Sequence, residues 1–518
     1  MAAAAAAGAA AAASGVRRIG FGCARITSSP AHVQALGTAL EGGVRMFDAA
    51  PNYGHDGAAE KAVGQAVAAA QDRVRREELH LCTKFGYYAS SAPGPESVPI
   101  GPAGGEMGLH FSLHPEVLER ELQGSLGRLR QEYVDTLYVH NPEHFLADIM
   151  LRHERQGPVA GGAAASEARL AEALRAERAL LKDRLVRGFE ALEGHVASGR
   201  VRRYGVSSNG FALGHKEQLH LSLDMVLEAA REGARRAGKD APALGVVQLP
   251  VNLLEPAGLV VASQARAKGL EVVANRPLTA VTQGNLYRLV NTAAMGGRGP
   301  PEGYMEACRA ALDLFNPSAL FGNKQERCGV YVRMYVDRNN KVIELSMSEG
   351  HLSSPPLHSL RKTISTSPST ANSSSELSPE EHDIREGCRI IQDLIRDMNQ
   401  QLPAFTSTES YTQELERRII PLIASTFESL DDEAADRLRA FFQRYGEMVR
   451  FNAADRVTEV CRASGHILPE GQPLHEYALR WLLARVPKQL TTVLVGMPQE
   501  LYVKDVLRIA ADGAPGSS

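Results

Sequence analysis

The stretch that decides the fold reads Phe47-Asp48-Ala49-Ala50-Pro51-Asn52-Tyr53-Gly54. Apolar residues at 44–47 predict a short buried strand, and the run from Gly57 onward predicts a helix. The strand therefore delivers the carboxylate of Asp48 at its end, and the phenol of Tyr53 follows on the turn. Because an unperturbed tyrosine has a pKa of about 10, it needs a charged neighbour to act as an acid catalyst.

Two more predicted strands end in ionisable side chains. Lys84 ends the apolar run 79–84, and His140 follows the run 134–139. If these strands are parallel neighbours, their carboxyl ends meet at one edge of the sheet. The sequence therefore predicts one catalytic site that contains Asp48, Tyr53, Lys84 and His140.

Short apolar runs alternate with helical patterns from Arg18 onward, which is typical of a parallel sheet wrapped by helices. Eight strands are predicted, at 19–22, 44–47, 79–83, 134–139, 201–206, 245–249, 270–274 and 492–495. Eight strands with helices between them predict a (β/α)8 TIM barrel, whose active site lies at the carboxyl ends of the strands. A Gly- and Pro-rich insertion, 86–110, follows the third strand.

The last crossover is too long for a barrel, since about 200 residues separate the seventh and eighth strands. We therefore expect a barrel made of 16–282 and 466–511, with a helical subdomain inserted at 283–465. Within the insertion, the Ser-, Thr- and Pro-rich tract 352–378 is expected to be disordered, and about 379–450 to be helical. The Ala-rich residues 1–15 are expected to form a disordered leader.

The composition is that of an ordinary globular protein, with 518 residues, 44% hydrophobic and 23% charged. A net charge of −3 creates no field for nucleic acid or an anionic membrane, and no apolar run reaches the roughly 18 residues of a membrane helix. The six cysteines are scattered without a CxxC pair, which argues against disulfides and zinc. We expect no metal and a cytoplasmic location, with organelle import as the alternative because no acid precedes Glu41.

The four ionisable residues suit carbonyl chemistry. An ammonium at Lys84 favours the phenolate and is expected to lower the pKa of Tyr53, while Asp48 keeps Lys84 charged. A neutral His140 can donate a hydrogen bond to the same substrate oxygen. No protein side chain supplies hydride, so reduction requires a nicotinamide cofactor.

These residues resemble the aldo-keto reductases, and in particular a branch with an enlarged helical insertion before the last barrel strand. The resemblance is carried by the motifs at 48–54 with Glu60 and Gly64, Thr83-Lys84, 134–140, 199–209, Gln248 with 252–255, 274–278, 481–483 and 495–497. It implies that Asp48, Tyr53, Lys84 and His140 form the catalytic tetrad of the family.

The resemblance also implies a site for NADP or NAD. Serine, asparagine and glutamine hold the nicotinamide in that family, which here indicates Ser208, Asn209 and Gln248; the adjacent Ser207 stays open as an alternative to Ser208. Further contacts are implied at the ends of the last two barrel strands, by Asn275, Arg276, Pro277, Leu278, Gly496 and Met497.

Two positions depart from the family pattern. Many members stack an aromatic ring under the nicotinamide where this chain has Asn275. Members that prefer the phosphorylated dinucleotide carry basic residues near Gly496, but 496–500 contains none and Lys504 is the nearest. Because a 2′-phosphate is recognised by Arg or Lys, both NAD and NADP stay open.

We therefore expect an NAD(P)-dependent oxidoreductase that interconverts an alcohol and a small-molecule carbonyl, either an aldehyde, a ketone or a sugar. Tyr53 is its expected proton donor. The alternative is a regulatory or interaction protein that keeps the fold and binds dinucleotide as a sensor, since a fold does not fix a function.

Overall fold

The structure is a computed structural model of the chain. It describes residues 15–100, 108–157, 162–291, 301–314, 330–336, 342–349, 363–364, 379–426, 429–430, 432–486 and 488–512. The predicted leader lies outside these residues except for Gly15. The predicted disordered tract also lies outside them, except for the two-residue strand Thr363–Ile364.

Eight strands, named β1 to β8 in chain order, close into a barrel. They are β1 (Ile19–Gly22), β2 (Met46–Asp48), β3 (His80–Phe85), β4 (Val134–His140), β5 (Val201–Ser207), β6 (Leu244–Pro250), β7 (Glu271–Asn275) and β8 (Thr492–Val495). Each strand runs parallel to its neighbours, and β8 pairs with both β7 and β1 to complete the closure. The predicted (β/α)8 barrel is confirmed.

Helices follow most of the barrel strands and bury apolar faces against them. They are Pro30–Glu41, Ala58–Ala69, Pro115–Leu129, His144–Gln156, Gly162–Ala197, Leu223–Arg236, Gly258–Ala267, Leu474–Leu483 and Glu500–Asp512. Several begin at a side-chain cap: Ser29 accepts from the N–H of His32, and Ser222 accepts from the N–H of Met225. Such caps satisfy donors that the first helical turn leaves free.

The strand register sets polar residues side by side at the carboxyl ends. His140 on β4 pairs with Ser207 on β5, and Ser207 pairs with Gln248 on β6. On the other side of the barrel, Asp48 on β2 pairs with Cys82 on β3. His140, Ser207 and Gln248 therefore lie side by side at the carboxyl end of the barrel, where its active site is expected.

The insertion after β3 forms a small antiparallel sheet. Its strands are Tyr87–Ser90, Val98–Pro99 and Gly108–Phe111, with Gly108–Phe111 in the centre. The sequence predicted an insertion here but not a sheet. The hydroxyl of Ser112 donates to the carbonyl of Pro95, which also ties the insertion to the chain that follows it.

The chain divides into two compact units, one of Met1–Ala280 with Glu476–Ser518 and one of Val281–His475. The second unit has its own buried core, which includes Tyr304, Ile391, Tyr411 and Tyr445. Its helices are Tyr304–Leu314, Pro379–Gln401, Thr408–Glu414, Ile420–Thr426 and Asp432–Ala463, with a π-helix at Leu415–Ile419. Strands Val330–Val336 and Val342–Glu349 form an antiparallel pair that the sequence did not predict. Shorter strands lie at Thr279–Thr282, Asn285–Arg288 and Ser429–Leu430.

Candidate active site

Asp48 and Lys84 form a buried ion pair at the carboxyl ends of β2 and β3. Their exposed fractions are 2% and 1%. The Nζ of Lys84 donates to Oδ1 of Asp48 and, at 2.9 Å, to the carbonyl of Ala49. Burial by itself favours the neutral amine, but Asp48 and the phenol of Tyr53 outweigh it and raise the pKa of Lys84 above its ordinary value. Lys84 is therefore a cation held in a fixed place.

Tyr53 lies over this cation. The Nζ of Lys84 is 4.8 Å from the centre of the Tyr53 ring. The turn that carries Tyr53 continues into Gly54, whose φ of 72° favours glycine and whose Cβ position would lie 3.3 Å from the carbonyl of Ile26. A side chain at residue 54 would therefore strain the turn that holds the phenol close to the barrel.

The prediction that Lys84 lowers the pKa of Tyr53 below its usual value is wrong for the structure described here. Burial is the largest influence and raises the pKa of Tyr53, and the charge and hydrogen bond of Lys84 only partly oppose it. Charge near a phenol and loss of hydration act in opposite directions, and here loss of hydration is the stronger. Tyr53 therefore stays a protonated phenol at neutral pH.

His140 faces the same space from the end of β4. Its ring lies edge-on to the ring of Tyr53, with 5.9 Å between the centres. Burial, followed by the charge of Lys84 and the proximity of His144, holds the pKa of His140 well below its ordinary value. The imidazole is therefore neutral and has one N–H to donate.

An aromatic group extends outward from His140. The ring of Tyr87 lies 4.8 Å from that of His140 and 5.1 Å from that of His144, and Phe111 lies 5.6 Å from His144. Tyr87 and Phe111 come from the inserted sheet, and the sequence reading missed both. The position of Tyr87, three residues after Lys84 at a barrel strand end, was the one signal that could have found it.

A chain of polar side chains runs across the barrel from Asp48. Nε2 of Gln248 donates to Oδ2 of Asp48 at 2.9 Å, and the hydroxyl of Ser207 donates to Oε1 of Gln248 at 2.8 Å. Asn275 lies next to this chain, with its Nδ2 3.5 Å from Oε1 of Gln248, and its Oδ1 is buried with no hydrogen-bond partner. A buried acceptor without a donor fits an amide-bearing group such as a nicotinamide carboxamide.

Ser208 and Asn209, predicted to contact the nicotinamide, have other partners. The hydroxyl of Ser208 donates to Oε2 of Glu143 at 2.7 Å. Asn209 begins a short 3₁₀ helix with an exposed side chain, and its backbone N–H donates to Oδ1 of Asn141 at 3.2 Å. The structure thus points Ser207, rather than the favoured Ser208, toward the chain of polar side chains.

The segment after β7 contains the other predicted cofactor residues. Arg276 has a φ of 53°, its guanidinium pairs with Glu255, and its Nε is buried without a partner. Asn252 donates to the backbone carbonyls of Arg276 and Thr279, at 3.2 Å each, and so fixes the turn. The next two residues, Pro277 and Leu278, are buried and half-buried.

The predicted residues after β8 differ in exposure. Gly496 is exposed, and a Cβ there would lie 3.7 Å from the carbonyl of Gly22, whereas Met497 is buried in the core. Lys504, the lysine nearest in sequence, forms an ion pair with Glu500 at 2.6 Å. This positive charge is already matched by an acid on its own helix.

The residues that the structure describes contain no group of three or more His, Cys, Asp or Glu side chains arranged to hold a metal ion. They also contain no helix that is both long and apolar enough to span a membrane.

The model of the aldo/keto reductase family matches residues 18–283. The chain belongs to the aldo/keto reductase family. The match covers β1 to β7 and every predicted site residue except Gly496 and Met497. The family resemblance expected from the strand-end residues is confirmed.

Curated relatives of this aldo/keto reductase match over a short part of their length. The chain is 32% identical over 130 residues to an NAD(P)H-dependent D-xylose reductase of Candida tenuis, which is 24% of this chain and 31% of the relative. It is also 32% identical over 131 residues to the aldo-keto reductase yakc [NADP(+)] of Schizosaccharomyces pombe. That match covers 24% of this chain and 34% of the relative. The chain thus spans about a third of the length of these relatives.

Solved structures of the family are also similar. An aldo-keto reductase from Bacillus halodurans in its holo form is 15% identical, covering 95% of this chain and 86% of that one, with a TM-score of 0.40. An aldo/keto reductase from Klebsiella pneumoniae in complex with NADP and acetate is 20% identical, with a TM-score of 0.30. The match covers 50% of this chain and 64% of that one.

Proposed function

We propose that this aldo/keto reductase is an NAD(P)-dependent oxidoreductase that interconverts a carbonyl and an alcohol, with Tyr53 as the proton donor. The observation that carries the proposal is the buried Asp48–Lys84 ion pair directly beside the phenol of Tyr53. A buried ion pair is weak as a stabilising element, because taking both charges out of water offsets most of their attraction. Its position against a phenol at a strand end supports a catalytic role instead.

The residues divide the work on the substrate oxygen. The neutral imidazole of His140 donates a hydrogen bond to the carbonyl oxygen, which orients it and draws electron density from the carbon. The Tyr53 hydroxyl gives its proton to the same oxygen as negative charge develops there. Lys84 stabilises the phenolate that remains, and Asp48 holds the ammonium in place. In the oxidation direction the Tyr53 phenolate accepts the proton of the substrate hydroxyl.

The dinucleotide, when bound, supplies or accepts the hydride at the substrate carbon. The residues proposed to hold its nicotinamide end are Ser207, Gln248 and Asn275, on the basis of the chain of polar side chains and the buried Oδ1 of Asn275. Arg276 to Leu278 and Gly496 to Met497 are proposed to contact the rest of it. NAD and NADP are both proposed, since one relative is named for NAD(P)H and another for NADP(+).

The proposed substrates are small aldehydes, ketones or sugars. The name D-xylose reductase, given to a relative, supports sugars as one class to test. Residues 16–282 and 466–511 are proposed as the catalytic domain, with 283–465 as an insertion, and the cytoplasm as the location.

The experiment is a scan of the purified chain against a panel of sugars, aldehydes and ketones with NADH and NADPH, and against the matching alcohols with the oxidised forms. We expect turnover with at least one carbonyl class. Dinucleotide binding without turnover across the whole panel would contradict the enzyme proposal and indicate a sensor. Absence of binding to either dinucleotide would contradict both.

A further inference from the structure

A buried carboxylate, Glu143, lies behind the proposed nicotinamide site. It follows β4 by three residues and is 6% exposed. Its Oε2 accepts from the hydroxyl of Ser208 at 2.7 Å, and its Oε1 accepts from the backbone N–H of Gly210 at 3.0 Å. Among the described residues, none forms an ion pair with it. Burial raises the pKa of Glu143, and the hydrogen bonds from Ser208 and the backbone oppose that shift.

Asn141 joins the same two turns at other points. Its backbone N–H donates to the carbonyl of Ser207 at 2.7 Å, and its Oδ1 accepts from the N–H of Asn209 at 3.2 Å. It adopts a φ of 48°, in the left-handed region that asparagine tolerates better than most residues. Together with the two bonds to Glu143, four hydrogen bonds therefore link the turn 141–143 to the turn 207–210.

The turn 207–210 carries Ser207, whose side chain faces the proposed nicotinamide site. The hydroxyl of Ser207 donates to the side chain of Gln248, and the backbone N–H of Ser208 donates to the carbonyl of Gln248 at 3.0 Å. Ser208 caps the 3₁₀ turn as well, since its Oγ accepts from the N–H of Gly210 at 3.0 Å. A shift of the turn would displace both Ser207 and Asn209.

We propose that Glu143 is a positioning residue for dinucleotide binding, and that Ser208 anchors the turn instead of contacting the nicotinamide. This inference rests on the proposed function. Glu143 acts through Ser207, because its two hydrogen bonds hold the turn 207–210 in the geometry that binds. Removing this buried acceptor leaves the hydroxyl of Ser208 without its partner and takes one of two acceptors from the N–H of Gly210.

The barrel contains a matched control for this residue. Glu193 is also buried, at 2% exposed, and it accepts from one hydroxyl, that of Tyr204 at 2.7 Å, and one backbone N–H, that of Ala243 at 2.8 Å. Ala243 directly precedes β6, so this carboxylate lies at the amino end of the strands. Removing it disturbs the same kind of hydrogen bonds away from the proposed site.

The test measures dissociation constants of NADH and NADPH by calorimetry for the full chain and its variants. Glu143→Ala should weaken binding by about tenfold or more, because the two buried hydrogen bonds that hold the turn 207–210 are lost. Glu143→Gln keeps an acceptor for Gly210 and should stay within about threefold of the parent. Glu193→Ala should lower the thermal midpoint while leaving both dissociation constants unchanged.

A Glu143→Ala variant that folds and binds within about twofold of the parent overturns the inference. If that variant does not fold, Ser208→Ala replaces it, with binding weakened several-fold as the expected result and unchanged binding as the contrary one. Amide exchange at Gly210 gives a reading without dinucleotide: it should accelerate in the Glu143 and Ser208 alanine variants but not in Glu193→Ala. A parent chain that binds neither dinucleotide contradicts the proposed function, and unchanged exchange at Gly210 contradicts this inference separately.

Discussion

The chemistry of single residues here depends on how far burial and charge oppose one another. At Lys84 the carboxylate of Asp48 overcomes burial and keeps the amine charged. At Tyr53 burial overcomes the charge of Lys84 and keeps the phenol protonated. His140 has no acid partner among the influences on it, so burial and a nearby cation keep it neutral. These three states are the ones that carbonyl reduction requires.

The first residue-scale prediction concerns pH. Since the pKa of Tyr53 lies above its ordinary 10 and that of His140 below its ordinary 6.5, neither group titrates between these values. We expect kcat/KM for carbonyl reduction to be flat across that interval, measured with a saturating dinucleotide. A decline with a midpoint between pH 7 and 9 would instead show that Lys84 lowers the phenol pKa, as the sequence suggested.

A second prediction for single residues concerns the choice between NADH and NADPH. Glu500 accepts from Gln34 and pairs with Lys504, and both ends of the pair are partly exposed. Glu500→Gln should free Lys504 to contact a 2′-phosphate. The affinity for NADPH should then rise by about two- to fivefold, which corresponds to the strength of an exposed ion pair. NADH affinity should not change. The double variant Glu500→Gln with Lys504→Gln should lose the gain; equal tightening of NADH and NADPH would remove Lys504 from this role.

At this scale the sequence predicts what lies at strand ends. Asp48, Lys84 and His140 each end a strand that hydrophobic patterning identifies, so their meeting follows from a parallel barrel. Glu143 could not be found this way, because its role depends on Ser208, which lies 65 residues away along the chain. The choice between Ser207 and Ser208 depends on which way adjacent side chains point, and a one-residue shift reverses that direction.

Among the elements, the helix that follows Tyr53 is held closely against its neighbour. Glu60, near the start of the helix Ala58–Ala69, is fully buried and pairs with Arg128 at 2.5 Å. It also accepts from the hydroxyl of Thr83, the residue before Lys84. One carboxylate thus connects the Tyr53 turn, the Lys84 strand and the end of the helix Pro115–Leu129.

Glycine makes this close approach possible, which gives an element-scale prediction. A Cβ at Gly64 would lie 2.6 Å from the carbonyl oxygen of Arg128 and 2.7 Å from that of Leu129. Gly64→Ala should destabilise the protein by about 1–3 kcal/mol, because backbone atoms must move apart. Gly127, on the helix Pro115–Leu129, has no atom within 4 Å of its Cβ position, so Gly127→Ala should stabilise by about 0.5–1 kcal/mol.

Urea unfolding of the two alanine variants checks this prediction. The free energy of unfolding should fall in Gly64→Ala and rise in Gly127→Ala. If Gly64→Ala is as stable as the parent, the two helices are not in the contact described here.

Elements with a strong repeating pattern were predictable, and short ones were not. The long helix Gly162–Ala197 shows apolar residues such as Leu174, Leu181 and Leu185 at helical spacing, and these are buried. The strand Val98–Pro99 has two residues, too few to show any alternation. It becomes a strand only because Gly108–Phe111 pairs with it.

At the scale of the whole molecule, partly buried neutral histidines make stability depend on pH. Burial lowers the pKa of His144 to about 4 from an ordinary 6.5, and it also lowers that of His80. The unfolded chain takes up protons below pH 6.5, whereas the folded chain does not until near pH 4 at His144. Stability from this residue is therefore present above pH 6.5 and is lost as the pH falls.

We expect His144 alone to remove about 2 kcal/mol of stability between pH 7 and pH 5. His144→Phe, which keeps a ring against Tyr87 and Phe111, should reduce the loss by that amount in urea unfolding. His55→Phe, at an exposed position, is the control and should leave the loss unchanged. An identical acid dependence in the His144 variant would contradict the burial described here.

The barrel itself was predictable because eight strands can be counted along the chain, although the last is separated from the others by the long insertion. The architecture of that insertion was less predictable. Its helices show patterning, but the strand pair Val330–Val336 and Val342–Glu349 was not anticipated. The family match ends at residue 283, so the second unit carries little of the family signal.

The central claim is that Tyr53 transfers a proton at a dinucleotide site, and Tyr53→Phe tests it most directly. The substitution removes one hydroxyl and keeps the ring beside Lys84 and His140. Turnover of the best substrate should fall about 10²- to 10⁴-fold, the usual contribution of an acid catalyst, while the dissociation constant of the dinucleotide stays within about threefold. Turnover retained within about tenfold of the parent would contradict the claim.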